Sequence, residues 1–187
     1  MAIEFNLPTY ITLLRIALIP LLMGVFYLPW RQANIASTVI FIIAGITYCL
    51  DGYLARKMRM ETPFGAFLDP VADKLMVAMV LVLLVQQQAS AYLAVPAAII
   101  IGREITVSAL REWMDEIGQR TKVQVSLLAK WKTAAQMTAI GLLLYRDDFF
   151  GLSAQRIGYI LLYVAALLTL WSMVSYLKAA LMTIDKE

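Results

Sequence analysis

Apolar residues run along this chain in long blocks, separated at short intervals by clusters of charge. Six blocks stand out: Thr9–Leu28, Ile35–Leu54, Gly65–Val85, Ala91–Arg111, Val125–Tyr145 and Ile157–Leu177. Each is close to the roughly 20 residues that a helix needs to cross a hydrocarbon core. The pattern predicts an all-α, polytopic membrane protein with six transmembrane helices and short connections. Only the last block is free of charge, so it is the plainest lipid-facing helix, and the polar residues of the others are expected to face the bundle interior. Pro20 and Pro96 fall inside the first and fourth blocks and predict local kinks there.

Composition strengthens this picture. Of 187 residues, 61% are hydrophobic and 16% charged, with a mean hydropathy of +0.75, values foreign to a water-soluble globule. Six spans use nearly the whole length, so residues 1–187 are read as a single membrane domain. The first block follows an acidic Glu4 and lacks a clear small-residue cleavage site, and it is read as a retained helix. There is no histidine, and Cys49 is the lone cysteine. A Ser-His-Asp triad, a Cys/His zinc site and an intrachain disulfide are thereby excluded, and any chemistry must come from carboxylates, cations and hydroxyls.

The net charge of +3 says less than its distribution. With six spans, the N-terminus, the second and fourth connections and the C-terminus share one side. They carry most of the cations, among them Arg56, Lys57, Arg59, Arg120 and Lys122. The opposite connections hold only Arg31, Arg146 and Arg156, while Arg15 and Arg103 sit within spans. The cation-rich side is expected to be cytoplasmic, which predicts N- and C-termini in the cytoplasm. Tyr27, Trp30, Tyr145 and Trp171 lie near span ends and are read as interfacial anchors or packing residues.

The candidate chemistry lies on the cation-rich side, in TYCLDGYLARKMRMETPFGAFLDPVADKL from Thr47. Asp69 and Asp73 are four apart and share a helix face, with Gly65 one turn earlier on the same stripe. Asp51, on the preceding helix, is followed by Gly52, Ala55 and Arg56. If the two helices face each other, these residues line one pocket. Carboxylates gathered near hydrocarbon cost roughly 2.5 to 3.5 kcal/mol each at mid-membrane unless protonated or bound to a cation. Their hard oxygens suit Mg²⁺ or Mn²⁺, and the adjacent glycines would let a phosphate ligand approach the backbone closely. The simpler alternative pairs the acids with Arg56, Lys57 and Lys74.

In this segment the chain resembles the CDP-alcohol phosphotransferase family, whose signature is D-x-x-D-G-x-x-A-R followed by G-x-x-x-D-x-x-x-D. Asp51, Gly52, Ala55, Arg56, Gly65, Asp69 and Asp73 match it; Tyr48 stands where the family has its first aspartate. The resemblance extends along the chain through NLPTYITLLRIALIP, GREITVSALREW, KWKTAAQM and LTLWSM. It is strongest to the bacterial members that transfer the phosphatidyl group of CDP-diacylglycerol to glycerol 3-phosphate in phospholipid biosynthesis. It implies a six-helix fold in a bacterial inner membrane, a homodimer, an active site open to the cytoplasm and two divalent ions. By that likeness Asp51, Asp69 and Asp73 would be metal ligands, and Asp73 the catalytic base. Asp51, Gly52, Ala55, Arg56, Gly65 and Asp69 would hold CDP-diacylglycerol.

The acceptor's phosphate needs cations near the metal site, and Arg103, Arg111, Lys132 and Lys130 are the candidates. A mid-span Arg103 beside Glu104 is costly unless it pairs with an acid or a ligand, and a structural Arg103–Glu104 pair is the plain alternative. Arg15 is assigned to helix packing or headgroup contact. At Tyr48 a phenol, neutral at pH 7 with a pKa of about 10, replaces a carboxylate, so one metal is expected to bind more weakly and activity to suffer. The same seven matches also allow another acceptor within the family, or a lipid-binding relative without catalysis. A cation or proton transporter fits less well, because the acids cluster at one surface and form no relay.

Overall fold

The computed structural model describes residues 6–58, 63–117, 127–148 and 151–184, with the side chains at 7, 8, 48–58, 63, 66, 69, 70, 127–130 and 179–184 left aside. Every regular element of those residues is helical. The helices are α1 (Leu7–Phe26), α2 (Ala33–Met58), α3 (Pro63–Gln88), α4 (Ala91–Glu116), α5 (Leu127–Tyr145) and α6 (Ala154–Ile184). The six blocks of the sequence correspond to these six helices in order. Their ends differ where hydropathy and hydrogen bonding part company. α2, α4 and α6 continue past the apolar blocks into polar residues, because a helix needs only its own backbone to persist. At 31 residues, α6 is about 46 Å long, well beyond a core of about 30 Å. α1 instead closes at Phe26, two residues short of its block. The expected start of the fifth block, Val125, lies outside the described residues.

Caps and breaks follow local chemistry. The Asn6 side chain accepts from the Thr9 amide at 3.2 Å and from its hydroxyl at 2.7 Å, and Pro8 sits in the first turn, where a missing N–H costs nothing. Ser90 caps α4 through the Tyr92 amide. α5 ends at Arg146, which takes a left-handed conformation with φ of 65°. Neither Pro20 nor Pro96 ends its helix.

Four stretches are long and apolar enough to cross a membrane: Thr9–Phe26, Val71–Gln88, Ala91–Glu116 and Ala154–Lys178. α2 offers a shorter apolar run, Ala33–Thr47, among the described residues. Only 28–33% of the four stretches is buried inside the protein. The apolar surface therefore faces outward, as a lipid solvent requires. Leu21, Val95, Ile160 and Leu167 are among the large side chains so exposed.

The helices close a ring in the order α1, α2, α5, α6, α4, α3 and back to α1, with α3 also meeting α5 across the middle. α3 accordingly supplies much of the core, Met76, Val80, Leu81, Leu83 and Leu84, against Leu22, Ile100, Ile140 and Leu162. Small residues let the helices approach in a solvent that gives no hydrophobic drive between them. Ala44, Ala72, Ala97, Ala139 and Ala166 are buried, and a Cβ on Gly158 would lie 2.9 Å from Leu143 Cγ and 3.2 Å from the Ala139 carbonyl. Several hydroxyls return to their own helix, as Thr38 does to Asn34 O at 2.8 Å and Thr47 to Ala44 O at 2.7 Å. This satisfies them where water is absent.

Polar contacts also tie the end of the bundle remote from the aspartates. Tyr27 donates to Gln86 at 3.1 Å, joining α1 to α3. Asn34 donates to the Tyr145 carbonyl at 2.8 Å and to Asp147 at 3.0 Å, joining α2 to the end of α5. The Arg146 guanidinium lies 5.8 Å from the centre of the Phe26 ring. Burial pushes its pKa below the usual guanidinium value, with Asp147 opposing the shift. Tyr27, Trp30 and Trp171 are exposed, as interfacial anchors would be.

Candidate functional site

The first turns of α3 carry Gly65, Asp69 and Asp73 at four-residue spacing, so their backbone positions share one face of the helix. Gly65 is buried. The side chains of Tyr48, Asp51, Gly52, Ala55, Arg56, Asp69 and Lys130 lie outside the described residues. Asp73 is described, and its carboxylate accepts a salt bridge from Arg15 of α1. The Arg15 side chain is only 2% exposed, that of Asp73 30%.

Of the two expected roles of Arg15, helix packing holds and headgroup contact does not: the guanidinium points into the bundle and meets Asp73 of α3. Thr9, Thr12 and Arg15 are each 1% exposed, so α1 carries a polar stripe along its inner face. The spacing of three among these residues was the available signal. Three polar groups on one line of an otherwise apolar helix belong inside, where partners exist. Lys74, the neighbour of Asp73, faces another way and donates to Ser108 of α4. Ser108 in turn donates to the Glu104 carbonyl at 2.5 Å. The alternative that paired Lys74 with the aspartates is thus replaced by a link from α3 to α4.

The donor chemistry on α2 and α3 fits a divalent cation. An ionised carboxylate has two oxygens with about four acceptor sites, so the ion pair with Arg15 does not by itself exhaust what Asp73 can accept. Its partial exposure leaves it reachable. Asp69 lies one helical turn before it, about 6 Å along the axis, and the expected trio of carboxylates would supply the hard oxygen ligands that Mg²⁺ and Mn²⁺ prefer, though among the described residues no three such side chains gather.

A second cluster is described in full. Glu104 Oε1 accepts from Arg103 Nη1 at 2.8 Å and from Lys132 Nζ at 2.9 Å. Arg103 is 10% exposed and Lys132 7% at their side chains, Glu104 26%. Arg103 Nη2 donates to Ser172 of α6 at 3.3 Å. Arg111 donates to the Tyr176 hydroxyl at 3.3 Å. The ring of Tyr176 lies 5.7 Å from the Arg103 guanidinium carbon and 5.3 Å from that of Arg111. Three of the four predicted acceptor-binding cations therefore converge from α4 and α5 against α6. The plain alternative, an Arg103–Glu104 pair, is also real, yet among the described residues a single carboxylate offsets one of three positive charges. Two remain, the charge of a phosphate dianion. Ser172 and Tyr176 were missed by sequence reasoning, since nothing along the chain ties α6 to α4.

The profile of the family described as CDP-alcohol phosphatidyltransferase matches residues 5–171. The chain is 52% identical over 178 residues to a protein of Haemophilus influenzae named CDP-diacylglycerol–glycerol-3-phosphate 3-phosphatidyltransferase, covering 95% of this chain and 94% of that one. Proteins of the same name from Salmonella choleraesuis and Shigella flexneri are 51% and 49% identical over 177 residues, each match covering 95% of this chain and 96% of the relative.

Proposed function

This chain belongs to the CDP-alcohol phosphatidyltransferase family, and from that premise we propose that it transfers the phosphatidyl group of CDP-diacylglycerol to glycerol 3-phosphate. The products are phosphatidylglycerophosphate and CMP. The names of its relatives support the reaction, and one observation carries the choice of acceptor. Arg103 and Lys132 share Glu104, and Arg111 joins Arg103 at the Tyr176 ring, among the described residues an excess of positive charge that a phosphorylated alcohol would neutralise and a neutral one would not.

In the proposed mechanism Asp51, Asp69 and Asp73 would hold Mg²⁺ or Mn²⁺, which when bound would supply positive charge to offset that developing on the transferring phosphoryl group. Gly52, Ala55, Arg56 and Gly65 shape the surface that receives the CDP moiety. Arg103, Arg111 and Lys132, with Lys130 at the rim, hold the acceptor's phosphate. Asp73, fixed by Arg15, removes the proton from the sn-1 hydroxyl. The oxygen so freed attacks the β-phosphorus of CDP-diacylglycerol; the bond from that phosphorus to the bridging oxygen breaks and CMP leaves with the electron pair. Tyr48 removes one carboxylate from the family's set, so the rate is held below that of a chain with all four.

The reading includes one domain whose six helices all span a bacterial inner membrane, with both termini and the site on the cytoplasmic side. The cation-rich connections support that orientation. Exposed apolar faces such as those of Trp131 and Trp171, 71% and 73% exposed, support both lipid contact and the expected homodimer. The test supplies purified protein with CDP-diacylglycerol, Mg²⁺ and radiolabelled glycerol 3-phosphate, and follows label into lipid alongside CMP. Label entering from serine or inositol phosphate, and none from glycerol 3-phosphate, would overturn the assignment of the acceptor.

A further inference from the structure

Arg103 and Arg111 are eight residues apart on α4, which separates their backbones by about 12 Å along the helix axis. Two guanidinium groups at that spacing have long, flexible stems and repel each other. Both nevertheless approach one aromatic ring, at 5.7 and 5.3 Å from its centre, within the roughly 6 Å over which a ring attracts a cation. The ring belongs to Tyr176, and its hydroxyl also accepts from Arg111 at 3.3 Å. One turn earlier on α6, Ser172 accepts from Arg103 at 3.3 Å, and Ser172 is held by its own bond to the Thr169 carbonyl at 2.8 Å. α6 thus presents Ser172 and Tyr176 on one face as a platform for α4's two arginines.

We infer that Tyr176 is a positioning residue for acceptor recognition: its ring and hydroxyl hold Arg103 and Arg111 in a shared orientation, so that both meet the phosphate of glycerol 3-phosphate. This rests on the proposed acceptor. Arg111 is exposed and without the ring would sample many rotamers, which binding would have to freeze. Arg103 already spends one nitrogen on Glu104 and another on Ser172, and its buried Nε has no hydrogen-bond partner. Two of its nitrogens are thus fixed, and the guanidinium faces the Tyr176 ring. The negative face of the ring also lowers the repulsion between the two cations before any anion arrives.

The experiment measures equilibrium binding of radiolabelled glycerol 3-phosphate and, separately, of CDP-diacylglycerol to the purified full chain, so that it does not depend on turnover. Tyr176→Leu is expected to weaken glycerol 3-phosphate binding about tenfold and to leave CDP-diacylglycerol binding unchanged. Tyr176→Phe keeps the ring and folds conservatively; it is expected to weaken binding only two- to threefold, roughly the loss of one hydrogen bond. That effect disappears in an Arg111→Ala background, where the hydroxyl has no guanidinium to hold. An unmoved affinity in Tyr176→Leu, or the same loss for Tyr176→Phe with and without Arg111, overturns the role of Tyr176 alone. A wild-type chain that binds CDP-diacylglycerol but no glycerol 3-phosphate overturns the proposed acceptor, and this inference with it.

Discussion

The two polar regions of the bundle are built in opposite ways. The acidic region draws Gly65, Asp69 and Asp73 from consecutive turns of α3, with Asp51 proposed from α2, while Arg15, which pairs with Asp73, arrives from α1. In the cationic region no three groups are consecutive: Arg103, Glu104 and Arg111 come from α4, Lys132 from α5, Ser172 and Tyr176 from α6. A site set by helical periodicity depends mainly on one helix staying folded. A site set by the meeting of three helices depends on their relative rotation and depth. The first arrangement suits the invariable half of a reaction, the phosphoryl transfer itself, and the second suits the half that selects an acceptor.

The largest expected effect tests the acidic region as a chemical centre. Asp73→Asn is expected to lower CMP release by a factor of about 10² to 10⁴, the scale of a lost general base. It also takes away the carboxylate that meets the buried Arg15, and breaking a buried ion pair costs up to about 3 to 5 kcal/mol. Adding Arg15→Met should restore thermal stability in detergent but not activity. Recovery of activity in the double variant would show that Asp73 serves only the ion pair.

Next in size is the gap at Tyr48. Tyr48→Asp completes the carboxylate set and is expected to raise Mg²⁺-dependent CMP release from CDP-diacylglycerol by about a hundredfold, since metal stabilisation contributes several kcal/mol. The comparison is made across a Mg²⁺ titration. A wild-type chain already as active as the variant at every concentration would sink the idea that a ligand is missing.

The smallest effect belongs to the cationic region. Lys132→Met is expected to weaken glycerol 3-phosphate binding by about tenfold, the loss of one charge-assisted hydrogen bond, while CDP-diacylglycerol binding holds. An equal loss for both ligands would erase the proposed division of labour and make the two regions one site.

Much of this was legible along the chain because some relations depend on spacing alone. Six helices follow from six apolar blocks, and the shared face of Asp69 and Asp73 follows from a period of 3.6 residues. The grouping of Arg103, Arg111 and Lys132 came from the phosphate of the acceptor that the family resemblance implies, and the cost of placing charge in hydrocarbon singled out Arg103 among them. The inward face of Arg15 was expected with that of the other polar residues inside spans, but its pairing with Asp73 was not, although the buried Thr9, Thr12 and Arg15 stripe carried the signal. An isolated cation in an apolar block fits headgroup contact as well as an ion pair until the facing helix is known.

What the sequence determined by itself is therefore a set of solvents and faces: lipid outside, polar groups within, and carboxylates aligned on α3. What only the tertiary structure decided is who meets whom. The ring order α1, α2, α5, α6, α4, α3 places α1 against α3, so that Arg15 reaches Asp73, and α6 against α4, so that Tyr176 lies under two arginines. The local spacing of a helix is set by its own hydrogen bonds and can be counted off a sequence. The partner of each face is chosen by packing among all six helices at once, where small residues such as Gly158 and the buried alanines permit close approach, and no local count contains that choice.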